Sequence, residues 1–202
     1  MNIRPNIKLE PQHDIAVRFV ELLTGARDTP MHFRFLPDDL AEKKRIADHE
    51  KAERVRTGNR QFCLRRNYDG TLEEVWPDLT ECQKHGWGIF VVINEGGRNA
   101  RSITKVRSLF VDGDGIPVPE AWEWHSQPDL VVKRDDLHWH AYWKTSDCRP
   151  EQFEQAQLRL AHYYKSDPSV SDLSRVMRVP GTLHCKHVNG EPDKLVILGE
   201  DA

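Results

Sequence analysis

Four short apolar runs constrain the fold of this chain more than any other feature of its sequence. GIFVVIN at 88–94 and VRSLFV at 106–111 are typical of buried central strands. DLVVK at 129–133 and HWHAYWK at 138–144 predict two more strands. The longest run without a polar residue, IFVVI, is far too short to cross a membrane, so we expect no membrane association.

Other local patterns predict helices and turns around these strands. Residues 14–25 have an Asp N-cap, helical apolar spacing and a final Gly25, and residues 149–167 repeat that spacing behind Pro150. The charged segment 38–57 favours an exposed helix or a mobile connection, while 31–36 and 194–198 favour strands. Residues 60–76 predict a hairpin around Asp69–Gly70, and 172–179 predict a short helix. We therefore predict one α+β domain with a mostly antiparallel or mixed sheet.

Composition restricts the class of protein without naming a partner. The 202 residues carry a formal net charge of -3, so global charge does not indicate a nucleic-acid binder. However, five arginines and no acid occur between Arg54 and Arg66, and a second basic stretch runs from Arg98 to Arg107. Such stretches are equally consistent with polyanion binding and with solvent-exposed loops and helix faces. The four cysteines are scattered and the N-terminal residues are polar, which favours a reducing cytoplasmic setting.

The run SLFVDGDG at 108–115 is the most informative stretch, because an apolar strand ends abruptly in Asp112 and Asp114. Residues two apart on a strand share a face, so both carboxylates point the same way. Their repulsion is relieved by a divalent cation, and oxygen ligands favour Mg²⁺ or Mn²⁺. Gly113 and Gly115 would leave room for a phosphate. The alternative is an ordinary polar turn at the end of a strand.

A third carboxylate, Asp172, precedes two arginines at spacings of three and six, Arg175 and Arg178. The cluster is consistent with a metal ligand beside a triphosphate clamp, since the guanidinium fork matches phosphate oxygens. Lys186 would add a further positive contact. Asp172 could equally be a helix N-cap, and the cluster a surface group of ion pairs.

Two histidines in HWHAYWK, His138 and His140, share one face of their strand, opposite two tryptophans. In one interpretation both histidines bind a metal, as in rolling-circle nicking enzymes, and Tyr163 or Tyr164 is the nucleophile. In the other, only His140 acts, as a donor to nucleotide phosphates, while the aspartates hold the metal. The acidic pair favours the second interpretation, because the nicking mechanism does not need it.

Three segments, in this order, resemble the three motifs of the archaeo-eukaryotic primase superfamily. They are LFVDGDG at 109–115, HWHAYW at 138–143 and DLSRVMRVPGTLHCK at 172–186. The third segment is the most specific, and its pattern is closest to that of the RepB-type primases of plasmids and phages. One departure is His138, which stands where that family usually has a small residue. The resemblance covers about residues 86–190.

The resemblance implies an RRM-like palm at 86–202 with an N-terminal α/β unit at 1–85. It implies a template-directed DNA primase that acts by two-metal nucleotidyl transfer with Mg²⁺ or Mn²⁺. Its implied partners are a single-stranded DNA template and NTP or dNTP, and a replicative helicase is a further candidate. The implied metal ligands are Asp112, Asp114 and Asp172, and the implied phosphate contacts are His140, Arg175, Arg178 and Lys186. A non-catalytic module that binds single-stranded nucleic acid is an alternative.

Overall fold

The computed structural model describes residues 9–58, 65–186 and 194–199. Within these ranges the α-helices are α1 (His13–Thr24), α2 (Leu40–Thr57), α3 (Leu72–Lys84) and α4 (Pro150–Tyr163). The strands are β1 (Met31–Pro37), β2 (Arg66–Gly70), β3 (Trp87–Val92), β4 (Ser108–Asp114), β5 (Leu130–Asp135), β6 (His138–Lys144), β7 (Val176–Arg178), β8 (Leu183–His184), β9 (Lys194–Leu195) and β10 (Ile197–Leu198). None of the helices in the described ranges combines the length and apolar character that a membrane crossing requires.

The described strands form two four-stranded sheets and one two-stranded ladder. The first sheet has the order β2-β1-β3-β7, the second has the order β10-β5-β6-β4, and β8 pairs with β9. Each of these strand pairs is antiparallel, which confirms the predicted α+β class. The first sheet combines β1 and β2 with β3 and β7, so residues on both sides of position 85 share it.

The main core lies between the sheets and is closed by α1, α3 and α4. Aromatic rings join these layers, with Phe19 of α1 and Phe153 of α4 contacting Tyr142 and Phe110 respectively. Strand β4 is an edge of the second sheet, and the side-chain amide of Gln157 covers that edge. The amide accepts from the N–H of Phe110 at 3.2 Å and donates to its carbonyl. This bridge satisfies backbone groups that would otherwise be buried without partners.

The hairpin predicted for 60–76 is wrong over its described part. Strand β2 pairs with β1, and helix α3 begins at Leu72, with Thr71 as its N-cap. The cause is a capping box, in which the Thr71 hydroxyl accepts from the N–H of Glu74 and the Glu74 carboxylate accepts from the N–H of Thr71. The cap outweighs the turn signal of Asp69–Gly70. Residues 60–64 of that prediction lie outside the described residues.

The helix predicted for 172–179 is also wrong. A turn joins the carbonyl of Asp172 to the N–H of Arg175 at 3.1 Å, and the chain then enters strand β7 beside β3. Met177 is buried while its neighbours are half-buried, so this segment follows the alternation of a strand. At α1, Gln12 rather than Asp14 occupies the N-cap position, although the C-cap at Gly25 agrees with the prediction.

Candidate active site

A cleft of about 260 Å³ opens where the two four-stranded sheets meet. Strands β3 and β7 contribute one wall, and β4, β5 and β6 contribute the other. The polar side chains that line the cleft are Asp112, Asp114, Arg134, His138, His140, Arg175, Arg178 and His184. Acidic and basic groups therefore share one concave site, which is the usual form of a ligand-binding or catalytic pocket.

Two carboxylate–imidazole pairs form the wall contributed by the second sheet. The register of β4 and β6 places Asp112 opposite His140 and Asp114 opposite His138. The Oδ1 atom of Asp112 lies 3.5 Å from Nε2 of His140, and Oδ1 of Asp114 lies 3.1 Å from Nε2 of His138. All four side chains therefore share one face of the sheet, as alternation along the strands predicts.

His140 is a largely buried imidazole whose surroundings favour its neutral form. Burial lowers the pKa of His140; Asp112 opposes this effect, whereas the guanidinium groups of Arg178 and Arg134 add to it. The hydroxyl of Tyr142 lies 3.4 Å from Nδ1 of His140, and burial raises the pKa of Tyr142 well above its ordinary value. A hydroxyl that donates to Nδ1 leaves the proton of the neutral ring on Nε2. In that tautomer the N–H at Nε2 faces the Asp112 carboxylate, 3.5 Å away.

His138 bridges two carboxylates. Its Nδ1 atom lies 2.5 Å from Asp135 and its Nε2 atom faces Asp114. Burial alone would raise the pKa of Asp135, but hydrogen bonds from His138, Leu137 and Arg134 outweigh it and hold that pKa well below its ordinary value. His138 is thus held in place by the ionised carboxylate of Asp135.

Arg178 is held in the opposite wall by Asp38, a residue that the sequence analysis missed. Two guanidinium nitrogens donate to the Asp38 carboxylate at 2.7 and 3.1 Å, and the guanidinium lies 4.5 Å from the centre of the Phe90 ring. The Asp38 carboxylate also accepts from the N–H of Cys185 at 3.3 Å. A side chain at Gly88 would come within 2.6 Å of both charged groups, so the pair needs a glycine there.

Arg134 and His184 are two further cleft residues that the sequence analysis missed. Arg134 donates to Nε2 of His184 at 2.9 Å, which requires a neutral imidazole. Burial lowers the pKa of His184 to about 4, with Arg178 and Arg134 contributing to the decrease. No local pattern identifies either residue, because both reach the cleft only when β5 and β8 approach β7.

The remaining predicted phosphate contacts differ in position. Arg175 lines the cleft, whereas Lys186 is exposed and does not belong to its lining. Asp172 does not line the cleft either. Its carboxylate accepts from the Ser174 hydroxyl at 3.2 Å and lies 3.6 Å from Arg175.

The predicted convergence of three aspartates is therefore not observed. Among the described residues, no group of three or more His, Cys, Asp or Glu side chains is arranged to hold a metal ion. The Asp172 carboxylate lies instead beside Arg175, 3.6 Å from one of its guanidinium nitrogens, at a turn closed by the backbone of these two residues. Among the described residues that line the cleft, Asp112 and Asp114 are the two with carboxylates. They fit a Mg²⁺ or Mn²⁺ site of the kind that uses one or two carboxylates together with nucleotide phosphates.

Two other predicted features have different roles in the structure. The missing side chain of Gly113 makes room for an indole ring, because a Cβ atom there would lie 2.2 Å from Trp139. Tyr164 stacks on Trp143, with ring centres 5.4 Å apart, on the face of β6 opposite the histidines. Tyr163 is exposed beside His125. This placement gives no support to a nicking mechanism with a tyrosine beside the histidines.

Comparisons with known proteins give matches among solved structures alone. No protein-family model matches the sequence, and no curated protein matches it. The AEP domain of the cyanophage S-2L primase-polymerase superposes with a TM-score of 0.64 at 18% identity, over 95% of this chain and 91% of that one. Primase RepB' superposes with a TM-score of 0.59 at 18% identity, over 93% of this chain and 56% of that one.

A third solved structure agrees with these two. The catalytic domain of primase RepB' in complex with initiator DNA superposes with a TM-score of 0.57 at 16% identity, over 94% of this chain and 85% of that one. The fold is therefore of the archaeo-eukaryotic primase type, as the sequence motifs predict.

Proposed function

We propose that this chain is a template-directed DNA primase-polymerase that makes short primers on single-stranded DNA by nucleotidyl transfer. The observation that carries the proposal is the cleft itself. Asp112 and Asp114, each beside a histidine, face Arg175 and Arg178 across a space of about 260 Å³. The shared fold with primase and primase-polymerase domains supports the same class of reaction.

The basic wall suits the triphosphate of an incoming NTP or dNTP. A guanidinium has five N–H donors, and Asp38 accepts from two nitrogens of Arg178, so further donors stay available for phosphate oxygens. The Phe90 ring and Asp38 hold the plane of this group, which lowers the entropy lost when a nucleotide binds. His140, beside Asp112 on the opposite wall, would contact the same phosphates.

The acidic wall suits the cation that accompanies a nucleotide. A divalent cation held by Asp112, Asp114 and the triphosphate would supply positive charge for the attacking 3′-hydroxyl and the leaving pyrophosphate. The proposal includes two such ions, Mg²⁺ or Mn²⁺. Asp172 would join their ligands only after its carboxylate left Arg175. A replicative helicase likewise stays a predicted partner.

Nucleotide incorporation by acidic-pair variants tests the proposal. The whole chain is incubated with a single-stranded template, labelled nucleotides and Mn²⁺, and the products are separated on a denaturing gel. We expect Asp112→Asn and Asp114→Asn to reduce incorporation at least about 100-fold, the scale for losing an electrostatic catalytic group, with unfolding midpoints close to wild type. Asp136→Asn removes an exposed carboxylate from the turn between β5 and β6 and is the matched control.

Three outcomes would contradict the proposal. Wild-type synthesis by Asp112→Asn would remove the role of the acidic pair. A covalent adduct between DNA and a tyrosine would indicate a nicking enzyme. Binding of the template without any product, with either ribonucleotides or deoxyribonucleotides, would indicate a binding module.

A further inference from the structure

A cluster of arginines extends from the cleft across the half-exposed face of the first sheet. Arg34 of β1 lies opposite Phe90 of β3 in the strand register, and Phe90 lies opposite Arg178 of β7. Since neighbouring strands are about 4.8 Å apart, the backbones of Arg34 and Arg178 are about 10 Å apart. We call four residues the arginine face. Three of them, Arg34, Arg65 and Arg98, lie outside the cleft, and the fourth, Arg175, lines it.

Arg34 is half-buried on this face of the first sheet. Its Nη2 atom donates to the carbonyl of Arg98 at 3.4 Å, and its Nε atom is buried without a hydrogen-bond partner. Within the described ranges Arg34 makes no ion pair with a carboxylate. Burial lowers the pKa of Arg34 and Arg65 lowers it further; Asp172 opposes both, and Arg98 again lowers it. Asp172 is itself only 3.6 Å from Arg175.

Arg98 repeats this pattern on the loop after β3. Its Nη2 atom lies 2.6 Å from Asp69, but its Nε atom is buried without a partner. Asp69 is also shared with His32 at 2.5 Å. The carboxylates of this face are therefore fewer than its cations, and two buried guanidinium donors point at no acceptor. Crowded like charges are unfavourable, and an added oxyanion relieves their repulsion.

We infer that the arginine face binds the phosphate backbone of the single-stranded template that leads into the cleft, an inference that rests on the proposed function. Phosphate oxygens match the guanidinium fork, and several cations spaced along one surface suit a polyanion better than a single small anion. The row of Arg34, Phe90 and Arg178 alternates cations with an aromatic ring, a composition found where proteins bind single strands.

The salt dependence of DNA binding tests this inference apart from catalysis. Anisotropy of a labelled oligothymidylate gives Kd for the whole chain between about 50 and 200 mM KCl. Arg34→Gln combined with Arg98→Gln should lower the slope of log Kd against log salt by about 1.4, since each phosphate contact to a single strand contributes about 0.7. Its affinity at the lowest salt should fall about 10-fold or more.

A second variant and a matched control accompany this double variant. Arg65→Gln alters an exposed side chain and should lower the slope by about 0.7 without affecting folding. Arg18→Gln combined with Arg159→Gln removes the same number of charges from exposed positions on α1 and α4, and it should leave the slope unchanged.

The outcomes separate this inference from the proposed function. Unchanged slopes in the arginine-face variants, absence of oligothymidylate binding by wild type, or equally tight binding of a blunt duplex would each overturn the inference. Normal primer synthesis by the wild-type protein, together with unchanged slopes in the arginine-face variants, would overturn this inference and leave the proposed function intact. If the arginine-face variants have reduced slopes but the wild-type protein synthesises no product, the inference is supported and the proposed function is overturned.

Discussion

Replacement of Asp38 by asparagine tests whether a buried carboxylate holds the arginine of the cleft. Asp38 accepts hydrogen bonds from Arg178 at 2.7 and 3.1 Å and from the N–H of Cys185 at 3.3 Å. The side chains of Arg178 and Asp38 are only 11% and 10% exposed, so water has little access to the guanidinium after the change.

The magnitude follows from what asparagine keeps and loses. One amide oxygen still accepts from Arg178, but the amide nitrogen faces the guanidinium instead of the second carboxylate oxygen. One charge-assisted hydrogen bond worth about 1.5–3 kcal/mol is lost, and the buried charge of Arg178 stays uncompensated. The loss of stability is therefore expected near the low end of the range of about 3–5 kcal/mol for removing one partner of a buried ion pair. We expect the free energy of unfolding to fall by about 3 kcal/mol and Tm by about 6–12 °C.

Urea unfolding followed by tryptophan fluorescence measures this loss. A double-mutant cycle with Arg178→Gln should give a coupling free energy of about 2 kcal/mol, because the two side chains contact each other directly. Asp78→Asn, which alters an exposed carboxylate on α3, is the control and should change the free energy of unfolding by less than about 0.5 kcal/mol. An Asp38→Asn protein as stable as the control, or an additive cycle, would refute the reasoning.

Two further predictions concern the sheet edge and the pH dependence of stability. Gln157→Leu leaves the buried N–H and C=O of Phe110 without partners and should lower the free energy of unfolding, measured in urea, by about 2–4 kcal/mol. The control Gln155→Leu alters an exposed side chain and should not lower it. Equal stabilities of the two variants would contradict the role of this bridge. The pKa of His184 is about 4 in the folded chain, below the ordinary value of 6.5, so the unfolded chain binds the proton more tightly. Stability from this group is therefore complete above pH 6.5 and falls as the pH decreases toward 4. Because the ring is partly exposed, we expect the free energy of unfolding to fall by about 1 kcal/mol between pH 7 and 5. His184→Gln should remove this decrease. An identical pH dependence of stability in the wild-type and variant proteins would contradict the assignment to His184.

Local patterns predict most of the fold because they are set by residues close together in the sequence. Helices α1 and α4 and strands β1 and β3–β6 follow from apolar spacing and alternation, and α2 agrees with one of the two alternatives that its charged composition left open. The two wrong elements each depend on a competing local interaction. The capping box of Thr71 and Glu74 converts the second half of a predicted hairpin into a helix. Pairing of Val176–Arg178 with β3 converts a predicted helix into a strand, and that contact comes from a distant segment.

The same difference between local patterns and contacts from distant segments applies to the site. Alternation along each strand predicts that Asp112 shares a face with Asp114 and that His138 shares a face with His140, whereas bringing the two pairs together depends on the pairing of β4 with β6. The pairing of Asp172 with Arg175 agrees with the ion-pair alternative that the sequence left open, because residue spacing alone could not decide between an ion pair and a metal ligand. Asp38 was missed because its neighbour Asp39 caps α2, which is a sufficient explanation for two adjacent aspartates in a sequence.

The dependence of the product on the template sequence tests the central claim most directly. Wild-type protein is incubated with Mn²⁺ and each nucleotide separately on homopolymer templates, and the incorporated nucleotide is identified. Template-directed transfer in this cleft predicts that thymidine templates take up adenine nucleotides and cytidine templates take up guanine nucleotides. Incorporation that ignores the template, or no incorporation on any template, would contradict the account.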